Sequence, residues 1–87
     1  MNTAMNRQDI QATVLRALSS AAPGVETSTL DPKKPIREEL DIDSMDFLNF
    51  VVALHASLGI DVPERDYARL ATLESCVDYL LARARPA

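Results

Sequence analysis

The chain has 87 residues, only two glycines and four Phe/Tyr residues, and a net charge of -4. That length makes one small domain over residues 1–87, with its folded core over about 6–83 and a stability that is modest because only about 60–65% of the unfolded surface can be buried. The single cysteine, Cys76, excludes an internal disulfide and a cysteine-based metal site, and no apolar run reaches membrane-spanning length.

In chain order, residues 1–5 read as a frayed tail. They contain no apolar signal region, so a cytoplasmic location is expected. Asn6 is a helix cap, with Asp9 at the third helical position. Ile10, Val14, Ala17 and Leu18 then recur at helical spacing, and Leu15 broadens the stripe. This first helix should end around Ser19–Ala22, before Pro23-Gly24.

Val25 to Leu40 is a long connection, because Pro32 and Pro35 forbid a continuous helix. Val25, Leu30, Ile36 and Leu40 are spaced as anchors that tuck it against the core, with a short helical turn near Ile36–Leu40. A connection this long inside a small domain points to function.

The second helix is expected over Ser44 to Leu58. Asp43 is its N-cap, Asp46 is the partner acid three residues on, and Gly59 is its stop. At about 100° per residue, Phe47, Phe50, Val51, Leu54 and Leu58 fill a core-facing arc. Met45, Leu48 and Val52 fall on the far side of Ser44. Leu48 is expected to be covered by the bundle, whereas Met45 and Val52 should form an exposed apolar strip that a partner can grip. Asp46, Asn49, Ala53, Ala56 and Ser57 make the polar or small face.

After Gly59, Ile60 to Pro63 is an extended link. Pro63 suits a first helical position and Glu64 and Asp66 a first turn, so a short third helix to Leu70 follows, with Tyr67 and Leu70 inward. Thr72 caps a fourth helix from Leu73 to about Arg83, striped by Leu73, Cys76, Val77, Leu80 and Leu81. Cys76 reads as a buried structural thiol. Arg83 and Arg85 complement the helix C-terminus, and Pro86 closes the chain. The sum is an all-α fold: a small four-helix bundle of three main helices plus one short helix, with a long loop between helices one and two.

Ser44 is where chemistry can enter. It lies on the first turn of its helix, where free backbone N–H groups and the helix dipole tolerate negative charge, so its hydroxyl is a good place for a phosphate ester. It is not a catalytic nucleophile. A serine enzyme needs a base within hydrogen-bond reach, and the single histidine, His55, is eleven residues further on, about 16 Å along the axis. His55 reads as a surface or core-edge residue. Asp41, Asp43 and Asp46 lack the ligand count of a dedicated calcium site, and zinc ligands are too few. No metal and no catalytic residue is therefore assigned. From Glu38 to Asp66 there are eight acids and one base, Arg65. This acidic surface repels nucleic acid and anionic lipid and steers basic partners. On these residues alone a helical interaction module with an unmodified serine remains the default, because serine near a helix start is common.

The stretch Asp43-Ser44-Met45-Asp46, preceded by Leu40 and followed by Phe-Leu-Asn-Phe-Val-Val-Ala-Leu, resembles the acyl carrier proteins. The resemblance extends over roughly Ile10 to Leu81 and is most specific at Leu40–Leu54. It implies that Ser44 carries 4′-phosphopantetheine, placed there from coenzyme A by a phosphopantetheinyl transferase that recognises Asp43. It also implies a partner surface of Asp41, Met45, Asp46, Asn49, Val52 and Ala56. Acyl-loading and acyl-transferring enzymes of the synthetase, ketosynthase or acyltransferase type would visit that surface, and the carrier itself would be a monomer. The family has glycine where Asp41 stands and leucine where Met45 stands. Carriers of fatty acid synthesis also have a strongly acidic second helix, whereas this one bears Asp46 alone, which suggests a specialised carrier. An aminoacyl or peptidyl carrier shares the same chemistry and is the alternative.

Overall fold

The computed structural model describes residues 6–84. The tail at residues 1–5, and the parts expected of Arg85 and Pro86, lie outside them. The elements are helices α1 (Arg7–Ala21), α2 (Ile36–Glu39), α3 (Ser44–Leu58) and α4 (Leu73–Ala84), with a 3₁₀ segment at Glu64–Leu70 between α3 and α4. This is the small helical bundle the periodicity predicts, with α2 as the short turn inside the long connection.

Local chemistry sets the ends of α1 and α3. Asn6 and Asp9 form a reciprocal capping box at the start of α1. At α3 the Asp43 carboxylate accepts the Asp46 N–H at 2.9 Å. The return bond from the Asp46 side chain, expected from the spacing, is not made, so Asp43 is a one-way cap. Gly59 stops α3 in the left-handed conformation, φ 68°, which costs glycine nothing.

Helix α1 is the element against which both α3 and α4 pack, and α4 also packs on the 3₁₀ segment. Ile10, Val14 and Leu18 of α1 meet Phe50 and Leu54 of α3 and Val77 and Leu80 of α4 in one core, all of them fully buried. Thr13 is buried among them, and its hydroxyl donates to the Asp9 carbonyl at 3.0 Å, so no polar group is left unpaired there.

The long connection is stapled to the start of α4. The Ile36 N–H donates to the Ala71 carbonyl at 2.7 Å, and the Glu74 N–H donates to the Pro32 carbonyl at 2.9 Å. The second bond satisfies one of the donors that a helix N-terminus leaves over. Thr72 and Ser75 cap the same terminus reciprocally, as Thr72 was expected to do. Ile36 is sealed in the core, while Val25, Leu30 and Leu40 are only half-buried. Ile42 and Val62 are buried as well, two core residues that the helical stripes do not include.

Three details differ from expectation. Pro63 precedes the third helical element and is not in it: its ψ of 152° is extended, and its carbonyl accepts the Asp66 N–H. That element is 3₁₀ throughout, and three residues per turn place Glu64, Tyr67 and Leu70 along one edge. Arg83 stands in the last turn of α4 as expected, and it has a partner there as well. Its guanidinium pairs with Asp66 at 3.1 Å and lies over the Tyr79 ring. Tyr79, absent from the expected stripe, is a buried residue whose hydroxyl donates to Asp66 at 2.6 Å. That bond is the main reason the Asp66 carboxyl is held below the usual carboxylate range, while burial first and the Asp66 bond second push the Tyr79 phenol up.

Cys76 is fully buried, and burial pushes its thiol up to about 12. An unfolded-chain thiol titrates near about 8.5. Between those values the folded chain keeps its proton and the unfolded chain loses it, so this group's contribution to stability is full below the lower value and falls as pH rises through the window. At pH 8 the native protein should therefore resist iodoacetamide, and alkylation followed by mass spectrometry should accelerate steeply as urea populates the unfolded state. Rapid native alkylation would contradict the burial.

Candidate functional site

The site is built by a tight reversal between α2 and α3. Leu40 caps α2, and Asp41 then takes a left-handed conformation, φ 52°, as the one non-glycine residue with positive φ among those described. The Ile42 N–H reaches back to the Arg37 carbonyl at 3.1 Å. This is the six-to-one bond of a Schellman ending, with Asp41 in the place that usually takes glycine. Aspartate is among the few side chains that visit this region with tolerable strain. The missing glycine therefore leaves the turn intact. Burial of Ile42 follows the turn, and Asp43 then opens α3.

Ser44 is exposed on the first turn of α3. Its Oγ accepts a hydrogen bond at 3.1 Å from Nη2 of Arg37, and the Arg37 guanidinium also lies 5.8 Å from the centre of the Phe47 ring. Beside Ser44 is an open groove of about 390 Å³, lined by Arg37, Glu64, Phe47, Leu48, Tyr67, Ala68 and Ala71. The 3₁₀ geometry puts Tyr67 at its wall: residues 68 and 71, like 64 and 67, are one turn apart. The Tyr67 and Phe47 rings meet edge to face at 5.9 Å.

The residues expected on the partner face are disposed as their helical spacing requires. Asp41, Asp43, Asn49 and Ala56 are exposed and Asp46 is half-buried. Met45 and Val52 are each 66% exposed, the strip anticipated beside Ser44. Leu48 departs from expectation, with 44% of its surface open. Helix α3 is covered on one side only, and Leu48 lies past the edge of that side, on the lip of the groove. His55 is exposed at the far end of α3, where its Nδ1 meets the Ile60 carbonyl at 3.2 Å, well removed from Ser44. Among the described residues no His, Cys, Asp and Glu cluster could hold a metal ion, and no helix is long and apolar enough to cross a membrane.

Sequence reasoning missed Arg37 and the groove. Arg37 is the last base before the acidic stretch, seven residues ahead of Ser44, and that isolation was its only linear signal. The groove wall could have been read from the three-residue repeat, had the segment been recognised as 3₁₀.

Comparison with known proteins bears on this arrangement directly. A family model described as a phosphopantetheine attachment site matches residues 13–80, most of the chain. The chain belongs to the acyl carrier protein family. It is 27% identical over 77 residues to the acyl carrier protein of Rubrobacter xylanophilus, covering 88% of this chain and 94% of that protein. It is 29% identical over 77 residues to that of Acidothermus cellulolyticus, covering 88% and 90%. In fold it is similar to the acyl carrier protein of Enterococcus faecalis, with a TM-score of 0.72 at 23% identity, over 90% of this chain and 98% of that one. The protein is thus a carrier that bears 4′-phosphopantetheine and serves biosynthetic enzymes. The residues at the head of α3 fit that group: an open hydroxyl as ester acceptor, an arginine within hydrogen-bond reach of it, and an apolar groove leading away.

The Asp41 turn makes a stability prediction. Asp41→Ala should destabilise by roughly 1 kcal/mol, since alanine tolerates the left-handed region less well than aspartate does. Asp41→Gly should be close to neutral, because relief of strain is offset by the greater chain entropy of glycine. Urea denaturation of the two variants checks this, and equal loss in both would mean that φ at this position is not what matters.

Proposed function

We propose that Ser44 is the attachment residue and that Asp41, Asp43, Met45, Asp46, Asn49, Val52 and Ala56 form the surface that partner enzymes recognise. The observation that carries this reading is the exposed Ser44 hydroxyl on the first turn of α3, with Asp43 capping the helix beneath it. When attached, the arm ends in a thiol that holds an acyl group as a thioester. Ser44 supplies the acceptor oxygen. Among the described residues the side chain bonded to Ser44 Oγ is Arg37, a cation and not a base, and His55 is exposed at the other end of α3. The base must therefore come from a phosphopantetheinyl transferase, which uses coenzyme A as donor.

Partner contact falls to both chemistries of the α3 surface. Met45 and Val52 offer apolar area that costs little to desolvate. The acids of the reversal, Asp41 and Asp43, steer basic patches toward it. The groove lined by Phe47, Leu48 and Tyr67 favours an apolar cargo over a charged one, which supports the acyl reading over the aminoacyl one. We further read the carrier as specialised, because α3 presents Asn49, Ala56 and Ser57 where a general fatty-acid carrier has acids. Efficient chain elongation on this protein by a general fatty-acid synthase would overturn that part. Loading, extending and off-loading enzymes of the synthetase, ketosynthase or acyltransferase type are the partners this reading implies.

One experiment tests site and surface together. Incubation with coenzyme A and a broad-specificity transferase should raise the intact mass by one phosphopantetheine, and Ser44→Ala should abolish the rise. Met45→Ser with Val52→Ser should slow the transfer several-fold while leaving the Tm nearly unchanged, because exposed positions contribute little to folding. A mass gain retained by Ser44→Ala would refute the assignment of the attachment residue.

A further inference from the structure

Among the described residues Arg37 is the one basic side chain bonded to Ser44, and its geometry serves more than holding a hydroxyl. Its Nη2 donates to Ser44 Oγ at 3.1 Å and its guanidinium flanks the Phe47 ring at 5.8 Å. Among the described residues it forms no ion pair, whereas Arg7 pairs with Asp78 and Arg83 with Asp66. Arg37 is thus a cation without a carboxylate partner beside a stretch of eight acids. Its backbone is held as well, since the Arg37 carbonyl receives the Ile42 N–H across the Asp41 turn.

We propose that Arg37 is the phosphate-holding residue of this carrier: it pairs with the phosphodiester on Ser44 and sets the root of the arm over the adjacent groove. The proposal rests on Ser44 being the attachment residue. A phosphodiester at Ser44 Oγ places its two non-bridging oxygens, which share one negative charge, two bonds from an atom that Arg37 already touches. A guanidinium has five N–H donors in a planar fork suited to such oxygens, and a charge-assisted bond is roughly twice as strong as one to a neutral hydroxyl. Pairing adds to what the helix N-terminus supplies and offsets the repulsion of an anion by Asp43 and Asp46, which flank the same position. Arg37 borders the groove together with Phe47 and Leu48, so a phosphate held by it directs the arm along that groove and away from the acids of the reversal.

The test compares wild type, Arg37→Gln, Arg37→Lys and, as a remote-charge control, Lys34→Gln, each before and after loading by a transferase with coenzyme A. Intact mass first verifies one arm per chain. Absence of the gain in wild type overturns the attachment reading and this proposal with it. With the arm in place, ³¹P NMR of the phosphodiester and the Arg37 Nε–Hε resonance are recorded at low and high salt. The expected result is a wild-type ³¹P line displaced and broadened relative to Arg37→Gln, moving toward it as salt screens the pair. Arg37→Lys should be intermediate, Lys34→Gln should match wild type, and the Arg37 Nε–Hε signal should shift on loading. Indistinguishable ³¹P lines in loaded wild type and Arg37→Gln, with an unmoved Arg37 signal, overturn the proposal while leaving the attachment at Ser44 intact. Because Arg37 is exposed, its variants should fold, and a merely structural role would move neither the ³¹P line nor its salt dependence.

Discussion

Ile36 holds the crossover between the first two long helices in place. Its side chain has no solvent exposure, and its N–H is bonded to the Ala71 carbonyl, so one residue ties the long connection both to the core and to the start of α4. A segment that is mostly exposed and contains two prolines has little reason of its own to hold one course over the surface. Burial of one isoleucine supplies roughly 1.5–3 kcal/mol, enough to decide among courses that are otherwise nearly equal. The Glu74 to Pro32 bond and the Thr72 cap add to the same seam.

The site inherits its geometry from that anchor. From Ile36 the chain makes one turn of helix, reverses through the left-handed Asp41, buries Ile42 and begins α3 at Ser44. Arg37 and Ser44 belong to different helices, yet they come within hydrogen-bond distance because the reversal between them is so tight. A carrier needs this kind of precision in one place only. On the proposed reading that place is the Ser44 hydroxyl, held by the reversal and the Asp43 cap.

Helix α3 keeps an open apolar side because the bundle covers only the other. Phe50 and Leu54 are fully buried, whereas Leu48, Met45 and Val52 of the same helix stay open. An apolar strip left uncovered in a small protein is a liability unless partners use it. The strip on α3 and the groove between α3 and the 3₁₀ segment both adjoin Ser44.

Much of this was legible in the linear order of residues. The periodicity of Ile10, Val14 and Leu18, the Asn6 and Asp43 caps and the Gly59 stop are local events, governed by side chains within four residues of one another, and they appear in the structure as expected. The exposure of Met45, Val52 and Ser44 could be read in the same way, from angles around one helix. What the linear order did not disclose depends on contacts between segments distant along the chain. Leu48 is apolar at a helical position, but whether a neighbour covers it depends on how three helices share one core. Tyr79 is buried with its hydroxyl satisfied by Asp66, thirteen residues away. Arg37 meets Ser44 only once Asp41 has accepted a backbone conformation that few side chains tolerate, and no pattern of hydrophobicity reports a dihedral angle. The sequence by itself determined the helices, their caps and the serine at the head of α3, because those follow from neighbouring residues. Only the tertiary structure decided which apolar side chains stay open, where the groove runs and which cation stands over the serine, because each of these requires the chain to fold back upon itself.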